Sequence, residues 1–519
     1  MKNIKVKFVV AISLLFFFAT VGTSPCNGEN KEKDFIYPQI HLGVCKISGK
    51  IIQTGLKPIK APITVKITPL YPVTGKIEIK EIKTDSVGRF TIDLKTETNP
   101  SICFISSSTD DNNTGIFTEL SQEKDNKLDL YYGKDSLLNN VQNSSKNQLT
   151  TNDMIYGMKA MDDLLDYHPV GIIHLNVDQP QIAFPKFYEK MSKWKEQLYK
   201  DKVISDKMKS YVFNECFAEE YVEGILHYKI KVRNKYLNSN QTDSASTFMK
   251  QNQKYYSIKS DMDLNDAKML YSYLLAYFQK ALLDDSILNI SPIKDTPIAL
   301  WQNEVKSKIS GLVGFNQGRY YDILTAYAYA NQINNQTERL TNKQIDNIRS
   351  FFKNHSPGII NILLNDNNRL ISQLAKGGDC HICTAPNVAD NKQLIDAIVS
   401  RYKGKTVLVD LWETWCGPCM SGLIQMENIK EKLKKEGVVF VYIACSSSPK
   451  KTWEERIKRI GGEQYYLSDK EKDAIMDGFG FDGIPSYVIY DKEGHLKNKF
   501  TGFPGNDNMQ SLLEDAMRQ

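Results

Sequence analysis

The chain has 519 residues, a formal net charge of +5, 24% charged and 41% hydrophobic residues. That length exceeds a single hydrophobic core and points to roughly three or four domains. The mild basicity is spread through Lys/Glu/Asp-rich stretches without an Arg/Lys stripe among aromatics, so no nucleic-acid partner is expected.

Lys2, Lys5 and Lys7 precede an apolar run over residues 8–19 broken only by Ser13. The run is short for a bilayer span and has the charged and apolar regions of an export signal, read as residues 1–25. The segment ends Thr23-Ser24-Pro25-Cys26. A bacterial lipoprotein signal places a small residue before a lipidated cysteine. Pro25 and Thr23 depart from that pattern, which leaves Cys26 a lipidation candidate beside ordinary cleavage and release. No later segment reads as a membrane span. The bulk is therefore expected on the periplasmic side of the cell envelope, free or lipid-anchored. The nine cysteines are Cys26, Cys45, Cys103, Cys216, Cys380, Cys383, Cys416, Cys419 and Cys445. They are too few to be the scaffold of the fold, although export permits disulfides.

Residues 27–34 read as a polar tether. Residues 35–132 favour strands: 41–51, 63–67 and 76–82 alternate apolar with polar or small residues, and a polar turn at 84–88 feeds another alternating run to Leu94. The Asp85-x-x-Gly88-x-Phe90 pattern resembles the prealbumin-like or carboxypeptidase-regulatory-like β-sandwich. Cys45 and Cys103 are candidates for a structural disulfide across it, with two unrelated buried thiols as the alternative, and His41 reads as a lone polar residue at a strand end. Residues 111–150 are rich in Asn, Ser, Asp and Lys and read as a terminal strand plus a polar linker.

Between 151 and 376 the period becomes helical, which implies a helical middle domain. Phe187, Met191, Trp194 and Leu198 share one face of a helix opened by Pro185, and the apolar stretch 268–278 suggests the centre of a bundle. Further helices are expected near 302–313, 319–333, 342–354 and 357–375. Glu215, Glu219, Glu220, Glu223 and His227 cluster, but a solvated helix face explains them without a metal; His168 and His174 lack partners. A substrate-presenting, dimerising or structural role for this region would look alike in sequence.

The last region, 377–519, alternates strand and helix, as in an α/β three-layer module. It opens with Cys380-His381-Ile382-Cys383. This pair has no strand running into it and reads as a disulfide, structural or able to exchange with a second pair; a four-cysteine metal site is the weaker alternative. The second pair follows the strand 406–411 in Trp415-Cys416-Gly417-Pro418-Cys419. Strand, tight turn and helix place both sulfurs at a helix start, where unpaired backbone N–H groups stabilise a thiolate. Half of a zinc site would be the other reading of such spacing. Pro418 suits a helix start. Trp412 and Trp415 flank the pair, where a flat surface could receive an extended peptide. Cys416 is the expected nucleophile and Cys419 the resolving thiol. Asp410, buried in the strand, should have a raised pKa and accept the proton leaving Cys419. Cys445 reads as a packed thiol.

The motif at 415–419 with its preceding strand resembles the thioredoxin superfamily, over roughly residues 376–519. The resemblance implies a buried carboxylate at Asp410 and a cis proline at Ile484-Pro485 facing the pair. It also implies a substrate-docking surface formed by Trp415, Gly417, Pro418, Ile484 and Pro485. The long segment from Cys419 to Pro485 is most like the envelope members of the TlpA, ResA and cytochrome-c-maturation type. Those members often carry a Glu three residues after the second cysteine and a Pro two beyond it; here Gly422 and Ile424 stand there.

The expectation is an exported thiol–disulfide oxidoreductase, reducing disulfides of envelope proteins with electrons from a membrane thiol donor, in cytochrome c biogenesis or in repair of misoxidised proteins. The alternatives are a disulfide oxidase or isomerase, or an envelope binding or assembly protein with an accessory redox module. No metal or cofactor is implied, because the two sulfurs carry the electrons.

Overall fold

In the computed structural model the described residues are 36–53, 62–107, 115–122, 124–133, 138–143, 149–167, 180–223, 263–285, 288–334, 336, 338–376 and 380–518. The export segment, Cys26, His168, His174 and His227 lie outside them. The described chain divides into two compact units, one built from 36–331 with 340–365 and the other from 332–339 with 366–518.

The first unit begins with strands β1 (Gln39–Gln53), β2 (Thr64–Pro69), β3 (Lys80–Lys83), β4 (Arg89–Asn99), β5 (Ser101–Ser107), β6 (Gly115–Leu120), β7 (Asp125–Tyr132) and β8 (Leu138–Asn143). They form two four-stranded sheets, ordered β4-β1-β7-β8 and β3-β2-β5-β6. The alternation read in the sequence is visible as burial: Cys45, Ile47 and Ile51 point inward from β1 while their neighbours are half-buried or exposed. The turn into β4 is held by Asp85, whose Oδ1 accepts from the N–H groups of Val87 at 3.0 Å and Arg89 at 2.8 Å. Gly88 takes φ +83° there, a conformation that suits glycine. β6 and β8 fall where mostly linker was expected. β6 is buried along its whole length, so it shows no alternation, and β8 (LNNVQN) is a polar strand at the end of its sheet.

Helices follow: α1 (Thr151–Tyr167), α2 (Pro180–Lys200), α3 (Asp206–Tyr221), α4 (Leu275–Leu283), α5 (Ile298–Val313), α6 (Arg319–Asn334), α7 (Asn342–Phe352) and α8 (Pro357–Lys376). Pro185 lies inside α2 rather than opening it. The change from strand to helix near residue 150 is crossed by polar bonds. Glu119 of β6 accepts from Lys207 Nζ at 3.3 Å and Tyr271 Oη at 3.0 Å, and Tyr273 Oη donates to the Thr68 carbonyl at 2.7 Å.

Residues 268–278 do not form one helix. A 3-10 turn at Ala267–Tyr271 breaks before α4. Ser272 Oγ accepts from Leu274 and Leu275 N–H, and the Glu215 carboxylate accepts from Tyr273 N–H at 3.0 Å and Leu274 N–H at 3.1 Å. These bonds serve donors left over at the start of α4. Glu215 is therefore not on a solvated face. Its burial pushes its carboxyl up to about 8. Cys45 and Cys103 do not form the candidate disulfide; they are the alternative, two free buried thiols, on β1 and β5 of different sheets, and Cys45 Sγ lies 3.5 Å from Thr96 Oγ1.

The second unit holds β9 (Cys380–Cys383), α9 (Leu394–Val399), β10 (Thr406–Leu411), α10 (Gly417–Lys435), β11 (Val438–Cys445), α11 (Lys450–Ile460), β12 (Gly462–Leu467), α12 (Asp469–Phe479), β13 (Ser486–Tyr490), β14 (Leu496–Thr501) and α13 (Asn506–Arg518). The sheet order is β14-β13-β10-β11-β12-β9. Parallel pairs β10–β11, β11–β12 and β12–β9 join antiparallel β10–β13 and β13–β14. β10 lies inside the sheet with every residue buried, which is why it reads as a nearly continuous apolar run. Its Leu408, with Trp412 just beyond, packs with Leu423 and Met426 of α10, Trp453 of α11 and Leu513 of α13. Val407, Val409 and Leu411 face the other way, against Leu394 and Ile398 of α9 and Ile475 of α12. Helices thus cover both faces. Among the described residues, no helix is long and apolar enough to cross a membrane.

Candidate active site

β10 delivers the chain to the site. Trp412 N–H still bonds the Ile443 carbonyl at 3.0 Å, and a turn closes with Cys416 N–H on the Glu413 carbonyl at 3.1 Å. Cys416 then caps α10: at φ −82°, ψ 103° it is not yet helical, and its Sγ accepts from Cys419 N–H at 3.1 Å. Pro418 sits in the first turn, where a missing N–H costs nothing. Cys416 and Cys419 are joined as a disulfide with Cα atoms 5.2 Å apart. Cys416 is 4% exposed and Cys419 fully enclosed, so an incoming sulfur reaches Cys416 first. On reduction, the helix N-terminus favours the Cys416 thiolate.

The Ile484–Pro485 peptide is cis, and Cys416 Sγ lies 3.8 Å from the Ile484 carbonyl oxygen. Trp415 is 63% exposed, with its Nε1 donating to Ser447 Oγ at 3.2 Å. Gly417 and Pro418 are exposed, and nothing stands within 4 Å of a side chain that might replace the Gly417 hydrogen. The surface around Cys416 is therefore formed by Trp415, Gly417, Pro418 and Ile484. Trp412 does not belong to it. It is fully buried in the core beneath the pair, because it continues the inward phase of Leu408 and Asp410. At Gly422 a Cβ would meet Tyr487 Oη at 3.0 Å and Phe503 at 3.2 Å, so the packing leaves little room for the side chain that envelope members often carry.

Asp410 is fully buried, and neither carboxylate oxygen has a hydrogen-bond partner among the described residues. Its backbone neighbours across β11 and β13 are Tyr442 and Tyr487, both buried. Burial raises its pKa to about 8, against an opposing pull from Lys430. Lys430 of α10 is itself buried, which lowers its pKa to about 7. Its ammonium lies 4.5 Å from the Tyr442 ring centre. At neutral pH, Asp410 is thus mostly protonated and can exchange a proton with its surroundings.

A second polar network, not anticipated from the sequence, anchors the turn itself. Glu413 is wholly buried. Its carboxylate pairs with Lys472 of α12 and accepts from Cys445 N–H at 3.1 Å, Cys445 Sγ at 2.9 Å and Ser448 Oγ at 2.5 Å. Ser448 Oγ in turn accepts from Thr414 N–H at 2.8 Å, and Arg456 donates to the Thr414 carbonyl. Burial and the neighbouring Glu413 carboxylate push the Cys445 thiol up to about 11, which makes it a poor redox group. The partners lie 32 to 59 positions from Glu413. Only the signal of a charged residue between two tryptophans was available in sequence.

Cys380 and Cys383 do not pair. β9 is a strand, and three residues along a strand span about 10 Å with side chains on opposite faces. A disulfide needs Cα atoms within about 7 Å. Cys380 packs on the α10 side and Cys383 on the α9 side. β9 is also an edge strand, with β12 and β11 between it and β10. Cys383 Sγ donates to Glu463 at 3.1 Å, and His381 Nδ1 holds the other oxygen at 2.9 Å, so this histidine serves the glutamate rather than either thiol. Among the described residues, no group of three or more His, Cys, Asp or Glu could hold a metal ion.

Residues 383–516 match the Redoxin family. The chain is similar to the thiol-disulfide oxidoreductase ResA of Geobacillus kaustophilus, 28% identical over 116 residues, which are 22% of this chain and 66% of that protein. A ResA of Geobacillus thermodenitrificans is 27% identical over 113 residues, 22% of this chain and 64% of the relative. The chain thus spans just under two thirds of the length of these relatives. Among solved structures it is similar to the thioredoxin domain of a thiol-disulfide oxidoreductase from Bacteroides vulgatus, at 19% identity and a TM-score of 0.20, covering 22% of this chain and 82% of that one. The C-terminal region of this chain carries a Redoxin domain behind a long N-terminal extension.

Proposed function

We propose that the chain is an exported thiol–disulfide oxidoreductase that reduces disulfides of envelope proteins. The observation that carries the reading is the Cys416–Cys419 disulfide at the start of α10, with its outer sulfur beside Ile484. In the reaction, the Cys416 thiolate attacks one sulfur of a substrate disulfide and expels the other as a thiolate, which takes up a proton. Cys419 then attacks Cys416 in the mixed disulfide. The intramolecular disulfide forms, the second substrate sulfur leaves, and Asp410 accepts the proton lost by Cys419. Two electrons pass from the dithiol to the substrate. Trp415, Gly417, Pro418 and Ile484 receive the substrate chain, with Pro485 buried behind Ile484 rather than on the surface.

The reducing direction rests on the likeness to ResA, and it requires a membrane thiol donor to return the pair to the dithiol. The export segment and Cys26 would place the protein on the periplasmic side of the envelope. The sheets of the first unit, read as a β-sandwich, and the helices that follow would present the redox domain to its partners. The test is the reduction potential of the Cys416/Cys419 pair, measured on the mature chain in defined thiol buffers. A value near about −270 mV supports a reductase, whereas one near about −120 mV makes the protein a disulfide donor or isomerase. Unimpaired cellular function after changing both cysteines to Ser would favour a binding or assembly protein instead.

A further inference from the structure

The turn that brings Trp415 to the surface is held by more buried charge than its packing needs. Glu413 is fully enclosed and its partner Lys472 only 7% exposed. Exchanging a buried ion pair for apolar residues of similar volume is often neutral or stabilising, so stability gives no reason for this one. Its bonds give another. They run from Glu413 to the segment 445–448, which joins β11 to α11.

That segment holds the turn at three points. Ser448, itself fully buried, donates its hydroxyl to Glu413 and accepts the Thr414 N–H at 2.8 Å. The Thr414 carbonyl accepts from Arg456 of α11, so the peptide groups on both sides of Thr414 are fixed. Ser447 Oγ accepts the indole N–H of Trp415 at 3.2 Å. The Ser447 N–H donates to Asp469 Oδ1 at 3.1 Å, and Asp469 opens α12 one turn before Lys472. A closed circuit thus runs from Glu413 through Ser448, Ser447, Asp469 and Lys472 back to Glu413, and the exposed Trp415 ring is tied to it. An exposed indole without such a tie would occupy several rotamers, and a docking chain would have to order it.

We propose that Glu413 and Lys472 are positioning residues, which fix the 445–448 segment so that Ser447 holds the Trp415 ring ready for a substrate polypeptide. The inference rests on the thiol–disulfide exchange reading. It adds that the site favours disulfides carried in a chain long enough to lie on Trp415 over small free disulfides.

Rapid-quench oxidation of the reduced full chain tests it, with a disulfide-bonded peptide and with hydroxyethyl disulfide, which is too short to lie on Trp415. The readout is the ratio of the two second-order rate constants, peptide over small disulfide. Ser447→Ala removes the acceptor of the indole at an exposed position and should lower the ratio by about fivefold, the ordering cost of one large side chain. Glu413→Gln combined with Lys472→Met removes both charges together, leaves no lone buried ammonium, and should lower the ratio by a similar factor. Adding Ser447→Ala to that pair should lower it little further, because both changes act through one bond. If the combined variant fails to fold, Ser448→Ala, which cuts the link from Glu413 to the segment, replaces it in the comparison. A ratio unmoved by Ser447→Ala, or losses that multiply to about 25-fold in the combination, would overturn the proposal. Exchange with both disulfides at a ratio that no variant moves would leave the redox reading standing; a wild-type chain that reduces neither would sink both.

Discussion

Asp410→Asn is the most direct probe of the site. The carboxyl has a pKa of about 8 because burial disfavours its charge. As proton acceptor it must be ionised, and the ionised fraction rises from about 1% at pH 6 to about half at pH 8. The rate at which Cys419 resolves a mixed disulfide on Cys416 should therefore climb some tens-of-fold over that interval. The Asn variant should lose this limb and fall by about 100-fold at pH 8. Stopped-flow chase of a chromogenic mixed disulfide on Cys416 reads the step directly. Stability supplies an independent check. Between pH 4 and pH 8 the folded state holds a proton on Asp410 that the unfolded chain has released, so stability falls as pH rises through this window. A shift of about four units corresponds to about 5 kcal/mol by the alkaline end, as an upper bound. The Asn variant should be flatter with pH and relatively more stable at pH 8. A resolution rate in the variant that still climbs with an apparent pKa near 8 would refute the proton-transfer role.

Other consequences are equally open to measurement. Glu413→Ala leaves Lys472 buried without its carboxylate and frees the turn before Cys416; the redox unit should lose about 3–5 kcal/mol in denaturant unfolding. Lys430→Met should change the alkaline side of the stability curve. Above pH 7 the folded wild type releases the Lys430 proton before the unfolded chain does, so its stability gains a rising contribution up to about pH 10 that the variant should lack. Changing both Cys380 and Cys383 to Ser should leave the potential of the Cys416/Cys419 pair and steady-state disulfide reduction unaltered; a shift of about 30 mV or more would mean the pairs communicate.

Much of the redox unit was legible because its signals are local. Helix start, proline placement and the Cys-x-x-Cys spacing all fall within five residues, and β10 and β11 are long apolar runs bounded by glycine and charge. β9 escaped because Cys-His-Ile-Cys has no alternation to read: its two outward residues, His381 and Ile382, point to opposite faces of an edge strand that is only four residues long. The expected disulfide at Cys380 and Cys383 failed for the same reason, since the spacing that suits a helix start separates side chains on a strand. Trp412 was misplaced because adjacency in sequence to Trp415 says nothing about phase once a strand ends in a turn. Glu215 read as a surface charge and Glu413 drew no reading, yet each is buried among partners that arrive from distant segments.

The two faces of the redox sheet differ in kind, and that difference locates the chemistry. Toward α9 and α12, β10 offers Val407, Val409 and Leu411, which pack into a hydrophobic cluster. Toward α10 it offers Leu408, Asp410 and Trp412, and the same layer contains Lys430, Tyr442, Tyr487 and the enclosed Cys419. An apolar residue would satisfy the packing at position 410 at least as well, and would spare the fold a carboxyl with no partner for either oxygen. Such a group weakens the fold at every pH where its charge is favoured in water, so packing gives no reason for it. Under the proposed mechanism, what it provides is a buried proton site of pKa about 8, able to take the proton that Cys419 must release.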